Sequence, residues 1–143
     1  MADLTITAAS VVPSSEATKV TRNAAAGVTI TAGQLVYLDS NTLKLTDNDA
    51  SAAAAKVAGI AVNGASPGQP CTYVTKDPKL AIGATVSIGA VYTSSGTPGG
   101  IAPIGDKATG DFITVVAVGV STTQVNFDVN MAASVDGVLV AVP

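Results

Sequence analysis

The sequence predicts an all-β fold: a small barrel or sandwich of short antiparallel strands, with one short Ala-rich helix and an extended N-terminal arm. Three observations carry that expectation. Val occurs 20 times and Thr 17 times in 143 residues, and both are β-branched residues that suit a pleated, half-buried surface. Short runs alternate apolar and polar side chains with a period of two, as in Val28–Ile30, Val86–Ile88 and Val125–Val129, which puts one face of each on a core. A block also recurs: Ala32-Gly33-Gln34-Leu35-Val36-Tyr37 returns as Ile88-Gly89-Ala90-Val91-Tyr92, each followed by a polar turn and a second apolar stretch.

Taken in order, residues 1–27 differ from the rest. Leu4-Thr5-Ile6-Thr7 alternates like a strand, but Val11-Val12-Pro13-Ser14-Ser15 and Asn23-Ala24-Ala25-Ala26-Gly27 interrupt it with turn and small residues. This segment reads as an extended arm able to pair outside its own subunit; the alternative is an ordinary first strand and loop of the domain. Residues 28–143 read as a β-domain of two related half-units. In the first, Gly33–Tyr37 forms a strand, Asp39-Ser40-Asn41-Thr42 a turn and Leu43-Lys44-Leu45 a return strand. A turn or two of helix is expected over Ala50–Ala55, capped by Asp49. Val57-Ala58-Gly59-Ile60-Ala61 is a strand echoed by Val116-Ala117-Val118-Gly119-Val120, and Val62 to Pro70 is a Pro/Gly loop between strands.

Composition limits the core and the partners. Aromatic residues make up 3% and Trp is absent, so the large side chains that anchor most cores are missing. An Ala/Val core buries modest area per residue, which points to an unusually compact fold or to partner subunits that complete it. Charged residues make up 12%, about half the usual share of roughly 25%, and mean hydropathy is +0.47. Chains with so little charge often cover much of their surface with other protein. The net charge of −3 and the scattered Lys and Arg residues argue against nucleic acid. The apolar run Ile113–Val120 is far too short for a membrane span, and Met1-Ala2-Asp3 does not begin a signal peptide. Cys71 is the sole cysteine, so no internal disulfide forms, which fits a reducing compartment.

No pattern supplies chemistry. Histidine is absent, which removes the commonest general base and metal ligand. Gly64-Ala65-Ser66-Pro67-Gly68 matches the spacing of a nucleophile elbow, but Pro67 lacks the N–H an oxyanion hole needs and there is no His base. Asp47-Asn48-Asp49 starts like a calcium loop, yet the positions for its Gly and Glu hold Ala52 and Ala58. Thr97-Pro98-Gly99-Gly100 lacks the Lys-Ser/Thr of a phosphate loop and reads as a flexible loop. Cys71 reads as a small buried residue. No catalytic, cofactor-binding or metal-ligating residue is expected, and no small-molecule substrate.

The Gly-x-x-Val-Tyr strand at Gly33–Tyr37, the Ala-rich turn leading to Val57–Ala61, the Pro67-Gly68-Gln69 loop and the Gly-x-Val-Tyr strand at Gly89–Tyr92 together resemble the capsid decoration, or cement, proteins of tailed bacteriophages, over roughly residues 28–120. That resemblance implies a β-rich virion protein made in the host cytoplasm that binds the outer surface of an expanded icosahedral head. Its partner would be the major capsid protein, and its own state a homotrimer, with a dimer as the alternative. On this reading Leu4, Ile6, Val11 and Val12 of the arm are candidate capsid contacts, and Tyr37 and Tyr92 candidate inter-subunit or core residues. Two other readings compete: another structural surface or fibre module, and a carbohydrate-binding β-module, whose site would draw on Tyr37, Tyr73, Tyr92, Phe112 or Phe127.

Overall fold

The computed structural model describes residues 3–47, 54, 56–106, 112–129 and 140–141. Among these the fold is nearly all β, as the composition predicts. Twelve strands run in order: β1 Val11–Val12, β2 Val20–Ala26, β3 Leu35–Asp39, β4 Thr42–Leu45, β5 Gly59–Ala61, β6 Pro70–Ile82, β7 Val91–Ser94, β8 Ile101–Pro103, β9 Phe112–Ile113, β10 Val115–Gly119, β11 Gln124–Asp128 and β12 Val140–Ala141. Ten belong to one sheet, and β9 and β12 form a separate antiparallel ladder. The expected helix at 50–55 lies outside the described residues except for Ala54, which is buried and accepts a hydrogen bond from the Asp47 N–H.

The long strand β6 organises the molecule. Its first half closes a five-strand circuit, because β2 pairs with β4 on one side and with β6 on the other, while β3 and β5 complete the path β2-β4-β3-β5-β6. Its second half starts another path, β6-β11-β10-β7-β8. Pro78 sits in the middle of β6, where the register against β11 shifts between Val125 and Phe127. A proline has no N–H for the ladder and is tolerated at such an irregularity.

Leu35 and Val36 of β3, all of β5, and Tyr73 and Val74 of β6 are buried on both faces, and this explains their consecutive apolar residues. Val36, Ala61 and Tyr73 point into the circuit with Leu43, Cys71 and Ile30. Their neighbours Leu35, Ile60 and Val74 point the other way, into a second cluster with Leu80, Ile82, Tyr92, Val116 and Phe127. The period of two thus builds two cores from one wall. Fully burying a Val, Leu, Ile or Phe side chain is worth about 1.5–3 kcal/mol, and twelve large side chains among the described residues reach that state.

The two half-units share one hydrogen-bonding plan. Gly33 N donates to Ala61 O and Gly89 N to Gly119 O, both at 2.8 Å; Ala61 N donates to Gln34 O and Gly119 N to Ala90 O, both at 2.9 Å. Ile30 N to Ala65 O has a near counterpart in Val86 N to Thr122 O, one residue short of the shift that relates Ala61 to Gly119. The strand pairs then fall into step: Leu35↔Ile60 and Val36↔Gly59 in one, Val91↔Val118 and Tyr92↔Ala117 in the other. Tyr92 therefore corresponds to Val36, not to Tyr37, and Ala117, not Val118, corresponds to Gly59. The match between the tyrosines in the sequence is one residue out of register, and a slip of one puts a side chain on the opposite face.

The halves differ at one seam. In the first, β2 meets β4 directly in a parallel pair, Ala25↔Thr42 and Ala26↔Leu43. In the second, β8 does not reach β6, and residues 4–12 fill the gap as a strap. Leu4 N donates to Ile101 O at 2.7 Å, Thr7 N to Gly83 O at 2.8 Å, and β1 pairs Val11↔Ile82 and Val12↔Ala81. Leu4 and Ile6 pack on the second core, and Val11 is 6% exposed. This departs from the expected boundary at residue 27: the strap and β2 are parts of the domain rather than an arm beside it. The physical reason is that the seam leaves ladder groups and apolar surface that only this segment covers.

Candidate interaction surface

The strap changes which of the proposed contact residues face outward. Leu4, Ile6 and Val11 are committed to the chain's own core, so they do not stand free for a capsid; Val12, at 53% exposure, does. Tyr92 is a core residue whose hydroxyl accepts a hydrogen bond from Ser87 N at 3.0 Å. Tyr37 is half-buried on the β3–β4 hairpin, opposite Lys44. That hairpin turns at Ser40 and Asn41, both with positive φ, as a two-residue loop of the type matched to strand twist requires. The Lys44 amine is held above its ordinary range by its hydrogen bond and charge contact with Asp39, 2.8 Å away.

The sequence motifs that resembled chemical sites are structural parts. Ser66 lies in the exposed turn between β5 and β6, where its N–H donates to Gln69 Oε1 and Gln69 N donates to Ser66 O. The loop at Thr97–Gly100, expected to be flexible, ties the two half-units together: Leu35 N donates to Gly99 O and Gly99 N to Thr46 O. Gly99 is buried with φ +74, and a Cβ there would lie 2.9 Å from Gln34 Cβ. Cys71 is fully buried, and burial pushes its thiol pKa up. Burial also raises the Tyr73 phenol, against the opposing pull of the Arg22 cation. The calcium-like string Asp47-Asn48-Asp49 lies outside the described residues beyond Asp47.

Among the described residues no group of three His, Cys, Asp or Glu side chains comes together, and no helix is long and apolar enough to cross a membrane. A shallow cleft of about 290 Å³ opens between the strap and the turn at residues 31–34. Asp3 is the one ionisable residue lining it, and its carboxylate accepts a hydrogen bond from Ser95 Oγ at 3.1 Å. A lone carboxylate there has no partner for acid–base work. Of the aromatics, Tyr73, Tyr92 and Phe127 are buried, Tyr37 is half-buried, and the side chain of Phe112 lies outside the described residues.

What the surface does offer is exposed aliphatic side chains. Ile88 is 73% exposed, with Leu38 at 48% and Val120 at 43%. Ile88 and Val120 lie at the same end of the second half-unit, where the Ile88 Cα approaches Gly119. Residues 80–105 and 112–127, which build most of that half-unit, contain no charged residue. The sequence foresaw sparse charge, and the spacing of Asp, Glu, Lys and Arg leaves residues 80–105 and 112–127 free of it, with Asp106, Lys107, Asp111 and Asp128 at the margins of those stretches. No protein-family model, no curated protein and no solved structure matches the chain.

Proposed function

We propose that this chain is a structural protein that binds the outside of an icosahedral phage head and stabilises the expanded shell by bridging neighbouring capsomers. The observation that carries the reading is the two charge-free stretches of the second half-unit, residues 80–105 and 112–127, with Ile88 and Val120 exposed at one end. Exposed aliphatic side chains on a surface free of charge cost solubility unless another protein covers them. The resemblance of the Gly33–Tyr37, Val57–Ala61, Pro67–Gln69 and Gly89–Tyr92 segments to cement proteins supplies the kind of partner. Such a protein acts by mass action: binding only the assembled shell stabilises it, and many copies multiply a weak contact.

In this reading the shell contact does not rest on Leu4, Ile6 and Val11. Val12 and the aliphatic end of the second half-unit take their place. The test is cosedimentation of the purified protein with expanded heads of the phage that encodes it, followed by heating. Saturable binding and a raised disruption temperature support the proposal. Absence of binding to heads, or turnover of a substrate by the isolated protein, overturns it.

A further inference from the structure

Inside the chain, one of the junctions between the two half-units, beside the shared β6 and the loop at residues 97–100, runs through the strap. The turn at residues 31–34 meets the strap there, and the strap covers the outer edge of β6. A Cβ on Gly33 would lie 2.5 Å from Ile6 Cγ2 and 3.2 Å from Val11 Cγ2, while Val11 and Val12 pair with Ile82 and Ala81. Each side of this junction has a counterpart in the other half-unit, and among the described residues both counterparts are uncovered.

The counterpart of the first turn is residues 87–90. Among the described residues nothing lies within 4 Å of a Cβ placed on Gly89, and Ile88 is 73% exposed. The counterpart of the second half of β6 is β2. Among the described residues β4 reaches only Ala25 and Ala26, so the outer edge of Val20–Ala24 has no strand beside it. Ala26 N donates to Gln69 O, which sets the alternation along β2. It turns the main-chain groups of Thr21 and Asn23 away from β6 and into the open. An unpaired strand edge of this kind is a template for another chain.

The residues at the equivalent positions differ in the sense this geometry needs. Ile88 stands where the first half-unit has Ala32. The first turn is small and is covered by the strap, whereas the second is large and uncovered.

We infer that the turn at residues 87–90 of one copy seats on the β2 edge of another copy, with Ile88 filling the space that Ile6 and Val11 fill within the chain. The contact repeats between copies the relation that already joins the two half-units. It joins unlike surfaces, so copies associate head to tail into a ring or a filament, not a two-fold dimer. This inference rests on the internal repeat alone and stands or falls apart from the capsid reading.

Light scattering of the purified protein, with no heads present, tests it. The wild type is expected at a multiple of its 13.9 kDa chain mass. Ile88→Lys, which blocks the turn, and Thr21→Pro, which removes an outward N–H from the edge, are each expected at the mass of one chain. A mixture of the two is expected to yield a dimer containing one of each, since each variant keeps the face the other lacks. Leu38→Lys, on a different exposed aliphatic, keeps the wild-type mass. Circular dichroism confirms that each variant is folded, and Thr21→Lys replaces the proline variant if that one unfolds. A monomeric wild type, an unchanged mass for Ile88→Lys, or folded variants that stay monomeric when mixed each overturn the inference.

Discussion

Ser14 holds Asp77 from two atoms. Its main-chain N–H donates to Asp77 Oδ2 at 2.7 Å and its hydroxyl donates to Oδ1, and Lys79 N adds a third bond at 3.1 Å. Asp77 is fully buried in the middle of β6, so this carboxylate has exchanged water for the chain that follows the strap. Glu16, 3.3 Å from Lys79 Nζ, and Lys19, whose amine donates to Ser14 O at 2.7 Å, extend the clamp at the surface.

Removing that carboxylate strands two N–H groups and a hydroxyl. Hydrogen bonds to charged groups contribute about 1.5–3 kcal/mol each, and Asp77→Ala is expected to cost about 3 kcal/mol overall in urea unfolding. Ser14→Ala, which keeps the main-chain bond, is expected to cost about half of that. Amide exchange at Leu4 and Thr7 should accelerate in both variants before exchange at Val74 does. Equal acceleration at all three sites would show that the clamp does not act on the strap in particular.

Deleting residues 2–15 should unfold or severely loosen the domain. The seam between β8 and β6 would lose the bonds from Leu4 and Thr7, and the core would lose the side chains of Leu4, Ile6 and Val11. Large-to-Ala changes at well-packed sites cost about 2–5 kcal/mol, so Ile6→Ala alone, half-buried, is expected near the lower end. A truncated protein with the melting temperature of the full chain would return the strap to the status of a free arm.

Two glycines with the same backbone separate strain from crowding. Gly33 has φ +94 and Gly89 φ +80, so alanine at either pays about 1–2 kcal/mol for a left-handed conformation. At Gly33 the new methyl also meets Ile6 and Val11, adding about 1–3 kcal/mol of overpacking. Gly33→Ala should therefore be clearly the more destabilising of the two. Equal losses would mean that the strap yields at no cost.

Cys71 supplies a pH prediction. Its thiol pKa lies above the ordinary value of 9.0 because burial disfavours the thiolate. The folded state thus holds its proton more tightly than the unfolded state, so this stability is complete below the unfolded pKa. It is lost as pH rises through the folded one. Stability should decline above about pH 9, the ordinary thiol range, and Cys71→Ala should flatten part of that decline. Below it, a thiol reagent should label Cys71 only as fast as the protein opens.

Much of the fold was legible because β structure writes its periodicity into short stretches. The alternation at Val125–Val129 and the turn at Ser40-Asn41 could be read from neighbours in the chain, and so could the reuse of one Gly-led strand. The register between the repeats could not. Tyr37 and Tyr92 look equivalent in the sequence, yet hydrogen bonds from Gly33 and Gly89 put Tyr92 opposite Ala117, where it turns inward. The same limit applies to the surface: Ile88 and Leu35 are both aliphatic residues of repeated strands and turns, and only packing makes one 73% exposed and the other fully buried.

The sequence by itself determined the kind of element and its repetition, since these follow from local backbone preference and side-chain alternation. It also determined how little charge the surface has to distribute. Only the tertiary structure decided what the first residues do. Leu4, Ile6 and Val11 would suit either a foreign surface or their own core. The choice belongs to the gap between β8 and β6, strands far apart in sequence from one another and from the strap, whose unpaired edges exist only once the chain has folded.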